Sequence, residues 1–151
     1  MMKYFIILFC IGIIGLISCG KDELNPQEQL DKDILLIEKY LKDHNLTAEK
    51  TAHGIYYILE QPGGDEKPKL TNTVVANYKG YFADDVVFDA ATKASFPLYN
   101  VIQGWQIGIP KFGIGGKGKL FIPSKYGYGA SKVKDRANAV LIFDIELLDI
   151  Q

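Results

Sequence analysis

Cysteine is scarce in this 151-residue chain: there are two, too few for a disulfide-dense scaffold. Histidine is equally rare, and neither His44 nor His53 belongs to a metal-ligand spacing. A surplus of one charge is also missing. Seventeen basic side chains stand against 18 acidic ones, a formal net charge of −1, which excludes an obvious nucleic-acid binder. The length suits one ordinary domain, and a hydrophobic content of 48% excludes a fully disordered chain. What the chain has in quantity is glycine (15) and tyrosine (9), a leaning towards β-structure with tight turns.

The first eighteen residues read as an address. Lys3 supplies a positive start, and Tyr4 to Ile17 is almost wholly apolar. That run is about 14 residues, or about 21 Å as a helix, short of a hydrocarbon core of about 30 Å, so it reads as the apolar region of a secretory signal. Leu16-Ile17-Ser18-Cys19 resembles a bacterial lipobox. The resemblance implies cleavage before Cys19, lipidation of Cys19 and anchoring to a bilayer. A plain signal peptide or a short anchor with an incidental cysteine is the alternative. Residues 20–23 (GKDE) resemble surface-export signals of some bacterial lipoproteins and read equally as a solvated tether.

Residues 19–29 are expected as that tether and 30–50 as a helical segment. Leu30, Ile34, Ile37 and Leu41 recur at helical spacing, with Leu35, Leu36 and Tyr40 widening the apolar face. Asn25-Pro26 offers a cap and a first-turn proline. The helix packs on its own domain or, alternatively, dimerises. Strands are expected at Gly54 to Leu59, Thr73 to Phe82, Val86 to Phe88, Gly118 to Ile122 and Ala139 to Leu148, the last with Leu141, Phe143, Ile145 and Leu147 on one side. A short helix is possible within Val101 to Phe112. The sum is an antiparallel α+β domain.

Several motifs fail on inspection. Gly113 to Gly118 matches G-x-G-x-x-G, but strand-like residues ending in Pro123 follow it where a phosphate site needs a helix N-terminus. A P-loop reading fails at Leu120, where a hydroxyl must reach magnesium. Ser95, Ser124 and Ser131 lack a nucleophile-elbow context. Asp84, Asp85 and Asp89 read more simply as a turn plus one buried acid.

The aromatic residues Tyr78, Phe88, Phe96, Trp105, Tyr128 and Phe143 would by default be an ordinary core. Their contexts are more telling. Tyr78-x-Gly80, Phe88-Asp89, Val101-Ile102-x-Gly104-Trp105, Gly116-x-Gly118-x-Leu120-x-Ile122-Pro123, Tyr126-Gly127-Tyr128-Gly129 and Leu141-x-Phe143-Asp144-x-Glu146-Leu147 occur in that order. Together they resemble the FKBP-type peptidyl-prolyl cis-trans isomerases, over roughly Thr73 to Ile150; the upstream Thr51-x-x-Gly54-Ile55-Tyr56-Tyr57 resembles lipoprotein members.

The resemblance implies an FKBP-like half-barrel over residues 51–151, a curved antiparallel sheet around one short helix, preceded by the N-terminal helix. It implies a rotamase acting on proline-containing polypeptides, with no cofactor or metal, and macrolides as possible inhibitors. Family roles carry over to Tyr78, Phe88, Asp89, Tyr128 and Phe143 as catalytic residues and to Phe96, Val101, Ile102 and Trp105 as substrate-binding residues. Trp105 would seat the proline ring, Phe88 and Phe143 would wall it, and the Tyr128 hydroxyl and Ile102 N–H would hold the peptide. Asp89 would orient the rim towards Tyr78 or, alternatively, bond to turn amides. The expected setting is extracytoplasmic, on a lipoprotein of the bacterial outer membrane, assisting folding.

Two segments depart from the family pattern. Ala90 to Ser95 is shorter than the usual flap and lacks its arginine, so a salt bridge to Asp89 is not expected. Lys132 to Asn138 replaces an aliphatic lid with charge, leaving Val133 as its apolar candidate. Both touch substrate contacts and imply weakened activity. A non-catalytic peptide-binding or chaperone module on the same fold is the alternative function, and an adhesive surface lipoprotein a remote third.

Overall fold

The computed structural model describes residues 24–151. The expected signal segment 1–18, Cys19 and residues 20–23 of the expected tether lie outside the described residues. Helix α1 spans Pro26–Asp43. Asn25 caps it: its side-chain oxygen accepts from the N–H groups of Gln27 and Glu28, while the Glu28 carboxylate accepts from the Asn25 N–H. The helix starts where Asn25-Pro26 marks it in the sequence, inside the 19–29 stretch expected as tether, because Pro26 at the first turn needs no N–H there.

The helix packs on its own domain through Leu30, Asp33, Ile37, Tyr40 and Leu41. Leu35 and Leu36 do not widen this face; they are 67% and 42% exposed. At 3.6 residues per turn Leu35 projects nearly opposite Leu30 and Ile37, and Leu36 falls beyond the edge of the stripe. The aliphatic spacing hides an acid in the buried face: Asp33 is 2% exposed.

Six strands follow: β1 (Glu49–Lys50), β2 (Tyr56–Gln61), β3 (Thr73–Tyr81), β4 (Val87–Pro97), β5 (Lys117–Ile122) and β6 (Leu141–Ile150). They form one antiparallel sheet in the order β1-β2-β5-β6-β3-β4. Helix α2 (Gln103–Gly108) lies between β4 and β5 in the chain. This is the expected α+β half-barrel.

β4 runs far past the expected Val86 to Phe88 and takes in Ala90 to Ser95. These small and polar residues have weak strand preference; edge pairing to β3 supplies it. The pairing contains a bulge: Ala76 faces Ala94 but Tyr78 faces Ala91. Lys93 sits in it at φ 50°, and its N–H donates to Asn77 Oδ1 at 2.8 Å.

The sheet carries a hydrophobic cluster on each face. Inside, Leu120, Ile122, Leu141, Phe143, Ile145 and Leu147 pack with Trp105, Ile109 and Phe112. Outside, Tyr56, Tyr81, Phe121 and Ile142 pack under Ile37, Tyr40 and Leu41 of α1. The glycine-rich segment has a backbone reason: a Cβ on Gly113 would stand 1.9 Å from the Gly64 carbonyl oxygen. It is a close crossing of two loops that feeds β5.

Candidate functional site

The inner face opens beside α2 into a pocket of about 300 Å³, lined by Tyr78, Asp89, Phe96, Asn100, Val101, Ile102, Trp105, Tyr128 and Phe143. Four elements meet there. β3 brings Tyr78, β4 brings Asp89 and Phe96, and β6 brings Phe143. Trp105 rises from α2, whose N-cap is Ile102. Tyr128 comes from the loop after a 3-10 turn at Ser124–Tyr126.

Trp105 is buried and meets three rings edge to face: Tyr78 at 5.2 Å, Phe96 at 5.6 Å and Phe143 at 5.4 Å. This is the preferred geometry of aromatic quadrupoles, and it leaves an apolar, closely packed surface. The Trp105 Nε1 is buried and has no hydrogen-bond partner. Ile102 accepts the first backbone bonds of α2, from Trp105 and Gln106, while its own N–H precedes the helix ladder.

Tyr78 donates its hydroxyl to Asp89 Oδ2 at 2.7 Å. Burial, then this bond and the Asp89 charge, pushes the Tyr78 hydroxyl up to about 12. The arrangement expected for Asp89, oriented towards Tyr78, is the one observed. Among the described residues no ion pair involves Asp89. Burial and then the Asp89 charge also raise Tyr128 above the usual phenol value. Both phenols therefore stay neutral donors throughout the physiological range.

Eight of the nine expected pocket residues converge. Phe88 differs. It stands beside the lining, against Phe143 at 5.5 Å and Phe82 at 5.0 Å, and so supports the wall without facing the cavity. Gly80 explains why: a Cβ there would lie 2.6 Å from the Phe88 ring and 2.8 Å from Phe143. Only hydrogen at that position lets the two rings meet over β3. Asn100 lines the rim without having been expected; nothing distinguishes it in the sequence from the residues around it.

The charged loop, Lys132 to Asn138, contributes no residue to the lining of the cavity. Lys134 Nζ donates to the Val87 carbonyl at 2.7 Å, and Arg136 forms a two-point ion pair with Asp84 at 2.9 Å. Val133 packs on the inner core. A larger hollow, about 450 Å³, lies on the outer face, where Lys79, Lys117 and Lys119 neutralise Asp144 and Glu146. The histidines stand apart from both: His44 stacks on Tyr40 and His53 meets Tyr126 edge-on.

The family model described as FKBP-type peptidyl-prolyl cis-trans isomerase matches residues 64–148. Among curated proteins, the FKBP-type isomerase FkpA of Buchnera aphidicola subsp. Schizaphis graminum is 37% identical over 135 residues, covering 85% of this chain and 53% of that protein. FkpA of Escherichia coli K12 is 39% identical over 119 residues, covering 76% and 43%. The chain thus spans about half the length of the curated relatives it matches. Among solved structures, the crystal structure of FkpA from Escherichia coli aligns with a TM-score of 0.70 at 34% identity, covering 83% of this chain and 64% of that one. A peptidyl-prolyl isomerase from Pseudomonas syringae also gives 0.70, at 27% identity, covering 85% of this chain and 98% of that one.

Proposed function

The chain belongs to the FKBP-type peptidyl-prolyl cis-trans isomerases, and from that premise we propose that it catalyses cis-trans exchange of Xaa-Pro bonds in polypeptide clients. The observation that carries this is the Trp105-floored aromatic pocket with neutral phenol donors at its rim. Isomerisation crosses a barrier of about 18–20 kcal/mol because twisting the amide breaks its resonance. No bond is made or broken, so the site needs no nucleophile. It must bind the twisted amide better than either planar form.

A twisted amide has a less polar carbonyl and a more pyramidal nitrogen, which a dry aromatic wall tolerates better than water does. Trp105 seats the proline ring, with Phe143, Phe96 and Val101 around it. The Tyr128 hydroxyl and the Ile102 N–H hold the peptide, and Asp89 fixes Tyr78 without transferring a proton. Phe88 acts from behind Phe143. The engagement of Lys134 and Arg136 with residues 84–87 supports an unobstructed mouth.

The wider setting follows the same reading. Residues 1–18 direct export, Cys19 carries the lipid anchor at the outer membrane, residues 19–25 act as tether, and residues 51–151 form the isomerase domain that assists extracytoplasmic folding. Macrolides occupy the same pocket, weakened by the short flap.

The test is exchange NMR on a short Xaa-Pro peptide with the full chain. Wild type accelerates exchange, and Tyr128→Phe slows it about fivefold, the effect of one hydrogen bond. Folded protein that exchanges the peptide no faster than buffer overturns the enzyme; peptide line broadening in that case identifies a binding module.

A further inference from the structure

Asp33 of α1 is buried, and no basic side chain pairs with it among the described residues. Its carboxylate is satisfied by donors alone. Oδ2 accepts from the Ser124 N–H at 2.7 Å and from Ser124 Oγ at 2.5 Å, and Oδ1 accepts from Gln29 Nε2 at 2.7 Å. An ionised carboxylate is costly to bury unless such bonds replace its water. Here two of the three come from one residue.

Ser124 is 1% exposed and is the hub of the next turn. Its carbonyl accepts from the Gly127 N–H at 3.0 Å and from the Gly129 N–H at 2.8 Å. Those glycines flank Tyr128 on both sides. The Gly129 carbonyl in turn accepts from the Asn138 N–H at 2.9 Å, closing the loop. Every polar group of Ser124 is therefore committed either to α1 or to the backbone that carries Tyr128. Tyr128 itself is half exposed, and among the described residues no aromatic pair includes its ring.

We propose that Asp33 is a positioning residue for Tyr128: acting through Ser124, it fixes the turn of residues 124–129, so that α1 is a working part of the peptide-binding site. Asp33 lies ahead of residues 64–148, which match the family. The inference rests on the assignment of Tyr128 to substrate binding.

The experiment compares Asp33→Ala and Ser124→Ala, each alone and with Tyr128→Phe, in the full chain. Asp31→Ala serves as control; Asp31 is exposed on the same helix and accepts from Gln27 as Asp33 does from Gln29. Exchange NMR gives kcat/KM, and Asp33→Ala lowers it by up to about fivefold, the loss Tyr128→Phe itself causes, and Ser124→Ala by about threefold. Both losses vanish in the Tyr128→Phe background, and Asp31→Ala changes nothing. Equal losses with and without the Tyr128 hydroxyl, or no loss at all, overturn the proposal. Ser124→Ala removes a single hydroxyl and keeps the test open should Asp33→Ala fail to fold. If wild type itself does not isomerise, the functional reading falls, and ring-labelled tyrosine NMR decides this inference separately. A Tyr128 signal that moves in Ser124→Ala while those of Tyr56 and Tyr57 stay supports it; an unmoved Tyr128 signal overturns it.

Discussion

On the inner face of the sheet, Tyr78, Phe96, Trp105 and Phe143 meet edge to face with one hydroxyl–carboxylate bond at their rim. On the outer face, the same strands carry Lys79, Lys117, Lys119, Asp144 and Glu146. There Lys119 lies 2.5 Å and Lys79 3.3 Å from Asp144, and Lys117 lies 2.8 Å from Glu146. Alternation along β6 divides the two: Phe143 and Ile145 point in, Asp144 and Glu146 point out. The outer face is apolar at Phe121 and Ile142, under α1, and charged where α1 no longer covers it. Cover decides which material a strand presents. The inner face is the exception, since it stays aromatic where it opens to solvent, and that is the mark of a surface kept for a ligand.

The widest separation of the two faces comes from cavity mutations. Leu41→Ala under α1 and Phe143→Ala at the pocket each destabilise by about 3 kcal/mol, read by urea melts. Only Phe143→Ala removes peptide exchange, while Leu41→Ala keeps it within about twofold at temperatures where the protein is folded. Loss of exchange in both would mean that the outer packing and the pocket are one unit.

A smaller effect distinguishes the faces by pH. Burial raises the Asp144 carboxyl, but hydrogen bonds and charge from Lys119, with Tyr81 and Lys79, outweigh it and hold it below the usual carboxylate value. The unfolded chain then binds the proton more readily, so this stabilisation is present above about pH 4 and is lost as pH falls through the lower folded value. Discounted for solvent screening at this partly exposed site, it is on the order of 1 kcal/mol. Asp144→Asn flattens the acid limb of stability against pH. Tyr78 has the opposite sign. Its hydroxyl is raised to about 12, so its contribution is complete below about pH 10 and disappears as pH climbs to 12. Phenolate absorbance with and without Tyr78→Phe reads it. The smallest effect belongs to neither face: Lys39→Ala breaks an exposed pair with Asp43 on α1 and leaves the melting midpoint unchanged.

Much of this division is legible in the sequence. The alternation Leu141, Phe143, Ile145, Leu147 gives β6 and its inner side, and the ordered motifs around Tyr78, Trp105 and Tyr128 bring the pocket together. Ala90 to Ser95 was illegible as strand because edge pairing, not side-chain preference, makes it one. Leu35 and Leu36 mislead because aliphatic identity outweighs phase when a stripe is read by eye. Asp33 is missed for the converse reason: an acid within a helix is read as solvated. Its phase, three residues after Leu30 and four before Ile37, was the available signal. Phe88 matches its motif, yet whether a ring faces a cavity or backs its wall depends on Gly80 and on rotamers that no spacing encodes.

The chain has a single tryptophan, and it is the buried floor of the pocket with an unpaired indole nitrogen. Its emission therefore originates from one known place, in apolar surroundings, with Tyr78 near enough to pass it excitation energy. A proline ring arriving over that indole changes the polarity it senses. Occupancy of the site can thus be followed by ultraviolet fluorescence of the unlabelled protein.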